Sequence, residues 1–389
     1  MPSQAAPGQS PGGYFPALDG IRALAILLVI PHNVNVLVAP ASSVLFPAVA
    51  VAHAGWVGVQ LFFVLSGFLI TGALLDSQRA ENYYSSFFWR RALRILPLYY
   101  AVLLLAFVVA PLLISLPAQF EATRHNGVWL WTFLSNWTQP YGKDVFGFAH
   151  FWSLAVEEQF YLLWPFIVRH RTPRSMLWLC LSIATAALVA RAAMELLHFP
   201  HEALYMFTIS RMDALALGAA AAAALRVPQI RQLLERNLLR VTVLALILLG
   251  LNALTTRAFS AFDNVEQTIG YLLLAVSYAL LMFPAVLPAT GLLQRAYGVL
   301  GWLPLRLVGR YSYAMYVIHF PLHIFIGQPL LASFGHPPPM WVAFCYAAAM
   351  VLASFALGAL SYHGFERHFL RLKHRFFGAP VTTPSAQAS

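Results

Sequence analysis

The chain has 389 residues, of which 60% are hydrophobic and only 10% charged, with a mean hydropathy of +0.69. A soluble domain carries about a quarter charged residues, so most of this chain is built to avoid water, which argues against a soluble enzyme. The formal net charge of +10, with pI ≈ 9.8, then fits Lys and Arg gathered in the loops on one side of a membrane better than a nucleic-acid partner.

The apolar stretches are long and continuous rather than short and alternating. Runs of about 17 to 25 apolar residues cross a bilayer as helices, which satisfy their own backbone hydrogen bonds. The fold class expected is all-α, a polytopic membrane helix bundle of about ten transmembrane helices. Residues 1–13 hold no basic residue and do not read as a cleavable signal. They are expected to be a disordered tail, followed by one integral-membrane domain over 14–372 and a cytoplasmic, largely disordered tail over 373–389. Cys180 and Cys345 both fall inside apolar runs, which gives no disulfide framework and no metal-ligand spacing. No metal is expected.

The first span is read over 22–40 and acts as an uncleaved anchor. In "LDGIRALAILLVIPHN" (18–33), Arg22 stands at the mouth and His32 ten residues further on, about 15 Å along a helix. With Arg22 at the cytoplasmic surface, His32 would lie near the midplane. An ionisable side chain there costs about 2.5–3.5 kcal/mol and often marks a cavity or pathway. A neutral imidazole can take a proton, or it can simply be satisfied by a neighbouring helix. Pro31 removes a backbone donor beside it. The second span, 56–75, carries Gly55, Gly58, Ser66, Gly67 and Gly72, small residues that allow close approach of a helix or a ligand.

"WRRALRILPLYY" (89–100) leads into the third span, 95–117. Arg91 and Arg94 are three apart and share a helix face. Guanidinium forks suit phosphate, and ordinary positive-inside anchoring explains the same pattern. The stretch 128–137 is too short to span. The fourth span, 149–168, contains "HFWSLAVEEQFYLLWP", in which Ser153 and Glu157 are four apart on one face, with Glu158 beside them. A buried carboxylate there could orient an imidazole. Spans follow at 175–196 and 204–225, the latter with Arg211 and Asp213 in "SRMDALALGA". Two apart, these do not face each other, so each is expected to meet another helix. After 241–256 and 267–287, the span 311–331 holds "GRYSYAMYVIHFPL", with Tyr311, Tyr313, Tyr316 and His319, and 340–362 is the last. The tyrosines also fit an interfacial aromatic belt.

Loop charge tests this count. With the amino terminus in the cytoplasm, all but five of the 24 basic residues fall in cytoplasmic segments; the five are Arg124, Lys143, Arg191, Arg211 and Arg257. One missed helix would invert every later loop, so both termini are expected to be cytoplasmic.

Taken in order, "LDGIRALAILLVIPH", "GVQLFFVLSGFLI", "RRALRILPLYY", "HFWSLAVEEQFYLLWP", "RMDALALGA" and "YSYAMYVIHFPL" resemble the membrane-bound acyltransferase 3 family, over about residues 14–370. The resemblance implies an integral-membrane O-acyltransferase in the plasma (inner) membrane. It would move an acyl group, in most members acetyl, from cytoplasmic acyl-CoA to a hydroxyl of a cell-surface or lipid-linked glycan. A small-molecule natural product is the alternative acceptor, and a secondary transporter or flippase the rival from another class. The partners implied are acyl-CoA, a glycan or lipid-linked sugar, and the lipid bilayer, with no nucleic acid. The family's helix-one basic residue and histidine fall on Arg22 and His32, its arginine pair on Arg91 and Arg94, its serine–glutamate phrase on Ser153 and Glu157, and its late tyrosine-rich phrase on Tyr311, Tyr313 and His319. One departure stands out. The family keeps ten residues between the helix-one pair, and here residues 23–31 make nine. Since one residue turns a helix by about 100°, His53 is the fallback base.

On this reading CoA phosphates dock on Arg91 and Arg94 with Arg22 nearby. His32 is the catalytic base and Glu157 its partner. Ser153, or backbone amides near Ser66 and Gly67, stabilises the oxyanion, and Tyr313 and His319 flank the substrate. An acyl-histidine or acyl-tyrosine intermediate stays open.

Overall fold

The computed structural model describes residues 14–38, 42–256, 259–335 and 337–377, with side chains to residue 372. Residues 1–13 and 378–389, and with them the expectation of disordered ends, lie outside the described residues. Every regular element described is helical. Ten long helices carry the architecture: α1 (Pro16–Val34), α2 (Val57–Asp76), α3 (Tyr83–Leu104), α4 (Trp152–Val168), α5 (Pro173–Leu196), α6 (Thr208–Ala224), α7 (Leu238–Thr255), α8 (Tyr271–Leu281), α9 (Leu303–Leu322) and α10 (Met340–Ser361).

Each expected span has a helical counterpart among these. By length and composition, eight helical segments among the described residues can cross a membrane, or nine if the bent pair His201–Ala224 and Pro228–Arg236 is one span. The difference from ten lies at α4, which has 17 residues and carries Glu157 and Glu158, at the short end of the spanning range. The stretch 128–137 is divided between two short helices, Gln119–Trp131 and Ser135–Thr138. A final helix, Arg367–Phe377, runs into the segment expected to be a tail.

The first helix begins and ends earlier than the sequence pattern suggests. Pro16 sits in its first turn, where the missing N–H costs nothing, and Asp19 complements the positive helix end. Asn35 adopts a left-handed conformation, φ 46°, and its N–H closes on the Pro31 carbonyl. The helix is therefore Pro16–Val34 rather than 22–40. Arg22 moves inside, to the second turn, and His32 lies in the last turn instead of at the middle.

Small residues set the packing. Helix α6, with Gly218 and the alanine run 219–224, is buried between α2 and α5. A methyl group on Gly67 would fall on the Leu215 carbonyl, and one on Gly218 on the Val64 carbonyl. This reciprocal backbone contact is the close approach expected of the second span. Helix α1 packs on α9 and α2, and α9 on α10. At the Asp76 end of α2, Arg226 bonds Asp76 at 2.6 Å and the Gly72 carbonyl at 2.9 Å.

Candidate active site

Five helices surround one cavity. Helix α1 contributes Arg22, α2 Phe62, Phe63 and Ser66, α3 Arg91 and Arg94, α4 Ser153, Glu157 and Tyr161, and α9 Ser312, Tyr313 and Tyr316. The space between them not filled by atoms is about 780 Å³, part of it open to the outside. Counted along each helix from the end shared with Asp76, the polar residues Arg22, Arg91, Arg94, Ser66, Glu157 and Tyr313 rise by roughly 9 to 17 Å at 1.5 Å per residue. They therefore form one layer, although they come from distant parts of the chain.

Contacts within that layer fix the side chains. Asp19 holds Arg22 at 2.9 Å. The Arg91 guanidinium lies over the Tyr161 ring, 5.0 Å from its centroid. Tyr161 and Ser66 share a hydroxyl hydrogen bond of 2.5 Å, and Glu157 faces both hydroxyls as well as Arg91 and Arg94. The Tyr313 hydroxyl donates to the Ile95 carbonyl at 2.6 Å. Among the described residues neither Arg91 nor Arg94 closes an ion pair within 4 Å. Three guanidiniums thus face one cavity carboxylate, Glu157, plus Asp19 at Arg22. That excess positive charge suits a phosphate-bearing ligand.

The helical spacing rule works here. Arg91 and Arg94 reach the cavity together, as do Ser153 and Glu157. Glu158, the adjacent acid, is not among the lining residues, and its Oε1 has no hydrogen-bond partner. Ser66 contributes its hydroxyl alone. Both Ser66 and Gly67 lie inside α2, so their N–H groups belong to the helix ladder and cannot form the expected oxyanion hole.

His32 is not among the lining residues. Its Nδ1 bonds the His53 carbonyl at 2.8 Å, and His53 Nε2 bonds the Leu37 carbonyl at 2.9 Å. Both imidazoles are engaged with backbone where α1 meets the start of the second span. His319 is fully buried and also outside the cavity lining. Its Nδ1 meets the Tyr316 carbonyl at 2.7 Å, and its Nε2 meets the Asn33 side-chain nitrogen at 2.9 Å. Asn33, one position past His32, is the residue with ten residues between it and Arg22. Tyr311 turns away, to His363 at 2.9 Å.

Three further residues belong to this neighbourhood. Tyr161 is four residues past Glu157, and His150 is three before Ser153, so one stripe of α4 and its leading turn carries all four. Tyr316 bonds Ser153 at 2.5 Å and the His150 carbonyl at 2.9 Å. The i, i+4 extension of the Ser153–Glu157 pair would have found Tyr161; His150 opens the phrase that carries that pair, and Asn33 has the family's ten residues between it and Arg22. Among the described residues no group of three or more His, Cys, Asp or Glu could hold a metal ion.

The acyltransferase 3 family model, described as an acyltransferase domain, matches residues 15–359. The chain belongs to the acyltransferase 3 family. Its relatives include the putative peptidoglycan O-acetyltransferase YrhL of Bacillus subtilis, 30% identical over 95% of this chain and 57% of the relative. The peptidoglycan O-acetyltransferase OatA of Listeria monocytogenes is 27% identical over 91% of this chain and 55% of its own length. The O-acetyltransferase OatA of Staphylococcus aureus is 29% identical over 81% and 51%. The chain thus spans a little over half the length of these acyltransferase 3 relatives. No solved structure matches it.

Proposed function

We propose that this protein is an integral-membrane O-acyltransferase that carries an acetyl group from cytoplasmic acetyl-CoA to a hydroxyl of a cell-wall glycan. The observation that carries the reading is the cavity in which Arg22, Arg91 and Arg94 face a shared space without ion pairs closing Arg91 and Arg94. Supporting the acceptor class are the relatives named for peptidoglycan O-acetylation. Supporting the cytoplasmic side is the crowding of basic residues into loops at the end from which the arginine layer is reached.

In this reading the arginines bind the donor's phosphates from the Asp76 end, and the thioester extends upward between α1, α2, α4 and α9. Glu157 holds the Ser66 and Tyr161 hydroxyls in a fixed, mutually bonded pair on the wall along which the thioester runs. The acceptor hydroxyl oxygen attacks the carbonyl carbon and gives up its proton, the carbon–sulfur bond breaks, and the sulfur leaves as the CoA thiol carrying that proton. Enclosure by five helices limits hydrolysis of the thioester.

The test is transfer of label from [14C]acetyl-CoA to a soluble cell-wall oligosaccharide by purified protein in detergent, alongside mass spectrometry of envelope glycans from wild-type and deletion cells. Label on the glycan in vitro and lost O-acetyl groups in the deletion are expected. Unchanged glycans together with no transfer in vitro would refute the reading.

A further inference from the structure

The wall of the cavity changes character with depth. Counted from the Asp76 end at 1.5 Å per residue, Arg22 and Arg91 stand at about 9 and 12 Å, Ser66 and Glu157 at about 15 and 17 Å, and Phe63, Phe62 and Val59 at about 20, 21 and 26 Å. All seven line the cavity. Guanidinium therefore comes first, then hydroxyl and carboxylate, then aromatic and aliphatic carbon. Val59, Phe62, Phe63 and Ser66 keep the i, i+3, i+4, i+7 pattern of one face of α2, so the change from polar to apolar happens along a single helix face. Leu154 of α4 adds to the apolar end. Helices α1 and α3 run away from the Asp76 end and α2 runs toward it. Side chains slant toward the start of their own helix, so the arginines lean back to the mouth and the phenylalanines lean inward.

The deep end is shut. The Phe62 ring meets the Tyr316 ring edge-on, 6.3 Å between centroids. Tyr316 is pinned in turn, because its hydroxyl shares a hydrogen bond of 2.5 Å with Ser153 and lies 2.9 Å from the His150 carbonyl. Phe63 meets Trp152 edge-on at 6.0 Å. About one turn further on, Trp56 and Phe151 have no solvent exposure, so packed rings fill the space beyond. Phe62 itself is only half-buried.

We propose that Phe62, backed by the pinned Tyr316 ring, sets the length of the acyl group that is transferred, admitting acetyl and propionyl and rejecting butyryl and longer chains. This rests on the O-acyltransferase reading, in which the thioester lies at the level of the Ser66 and Tyr161 hydroxyls. From Ser66 to Phe62 is four residues, a rise of about 6 Å. Carbon atoms in contact stay about 3.5–4.0 Å apart, which leaves about 2 Å for chain beyond the carbonyl, enough for one carbon or two. The apolar wall suits a methyl or ethyl group, and a longer chain would have to displace close-packed rings.

The experiment measures kcat/KM for [14C]acetyl-CoA and [14C]butyryl-CoA with the purified protein in detergent and a soluble cell-wall oligosaccharide, for wild type, Phe62→Ala and Leu69→Ala. The butyryl-to-acetyl ratio is the readout. Both donors carry the same CoA, so changes in nucleotide binding, acceptor binding or folded fraction cancel in it. Wild type is expected to favour acetyl by about 100-fold or more, and Phe62→Ala to raise the ratio by about 10- to 100-fold, as one or two methylenes in a fitted pocket are worth. Leu69→Ala makes the same kind of truncation in the same wall, but at about 10 Å, level with the arginines. Whatever it does to the rate, its ratio is expected to stay within about threefold of wild type. A Phe62→Ala ratio within about threefold of wild type overturns the proposal, as does an equal rise in Leu69→Ala. Should Phe62→Ala fail to fold, Phe62→Leu takes its place, with a smaller rise expected and no rise overturning the proposal. Wild type using both donors alike overturns it with no variant at all, and leaves the O-acyltransferase reading standing. Absence of transfer from either donor by wild type would bring down that reading itself.

Discussion

Two parts of the bundle carry arginines within their helices, fully buried at Arg191 and Arg211 but half-buried at Arg22 and Arg91 and exposed at Arg94, and they treat the charge in opposite ways. Between α5, α6 and α8 the charge is closed. Arg191 and Asp213, both fully buried, pair at 2.8 Å, and Arg191 also bonds the Thr268 and Ser210 carbonyls. Arg211, equally buried, donates from one nitrogen to Gln60 at 2.5 Å, leaves Nε and Nη1 without a hydrogen-bond partner, and is enclosed by rings instead, 4.2 Å from the Tyr271 centroid with Trp152, Tyr205 and Phe63 around it. A guanidinium boxed by aromatic faces is stabilised without a carboxylate. Between α1, α3 and α4 the charge is open, because Arg22, Arg91 and Arg94 face a cavity and the last two close no ion pair among the described residues. Closed arginines hold helices together, whereas open ones await a ligand. The surrounding helices, rather than the residue type, decide which.

Removing the acid of the closed pair should have the largest effect. Asp213→Ala leaves Arg191 buried and unpaired, a loss of about 3–5 kcal/mol. A fall in folded yield and in Tm in detergent is expected, with activity lost along with the fold. A stable, inactive Asp213→Ala protein would break the contrast by making the closed pair functional.

On the open side, fold and activity should separate. Glu157→Gln keeps the shape of the side chain but loses the charge that orients Ser66 and Tyr161. It should lower kcat by about 10- to 100-fold, within the span seen when an oriented polar group at a reacting centre is removed, with little change in Tm. Arg94→Ala should raise the acetyl-CoA KM by about tenfold, as expected for a lost charge-assisted hydrogen bond of about 1.5 kcal/mol, and leave the acceptor KM in place. If only acceptor dependence moves, the donor is on the wrong side of the cavity. The smallest effect is expected from His32→Ala, with transfer within about threefold of wild type, since its ring holds a backbone carbonyl outside the cavity. A hundredfold loss there, in a folded protein, would return the base to helix α1.

Much of this was legible in the chain. Helices were forced by apolar length, because a backbone in lipid has no other partner. The i, i+3 and i, i+4 spacings put Arg91 with Arg94 and Ser153 with Glu157, and all four line one cavity. The expectation that Arg211 and Asp213 would each meet another helix also agrees with their partners, Gln60 and Arg191. Less legible were the ends of α1, where Pro16 and Asn35 rather than hydrophobicity set the boundaries and moved His32 from the middle to the last turn.

Sequence alone determined the class, the order of the helices and which side chains share a face within each one, because burial of apolar length and the 3.6-residue repeat are properties of a single segment. Tertiary structure decided which side chains of different helices share one cavity. That depends on the rotation of each helix about its axis, where one residue changes the aim by about 100°. The rotation is fixed only when Gly67 and Gly218 let α2 and α6 touch and the bundle closes around the arginine cavity.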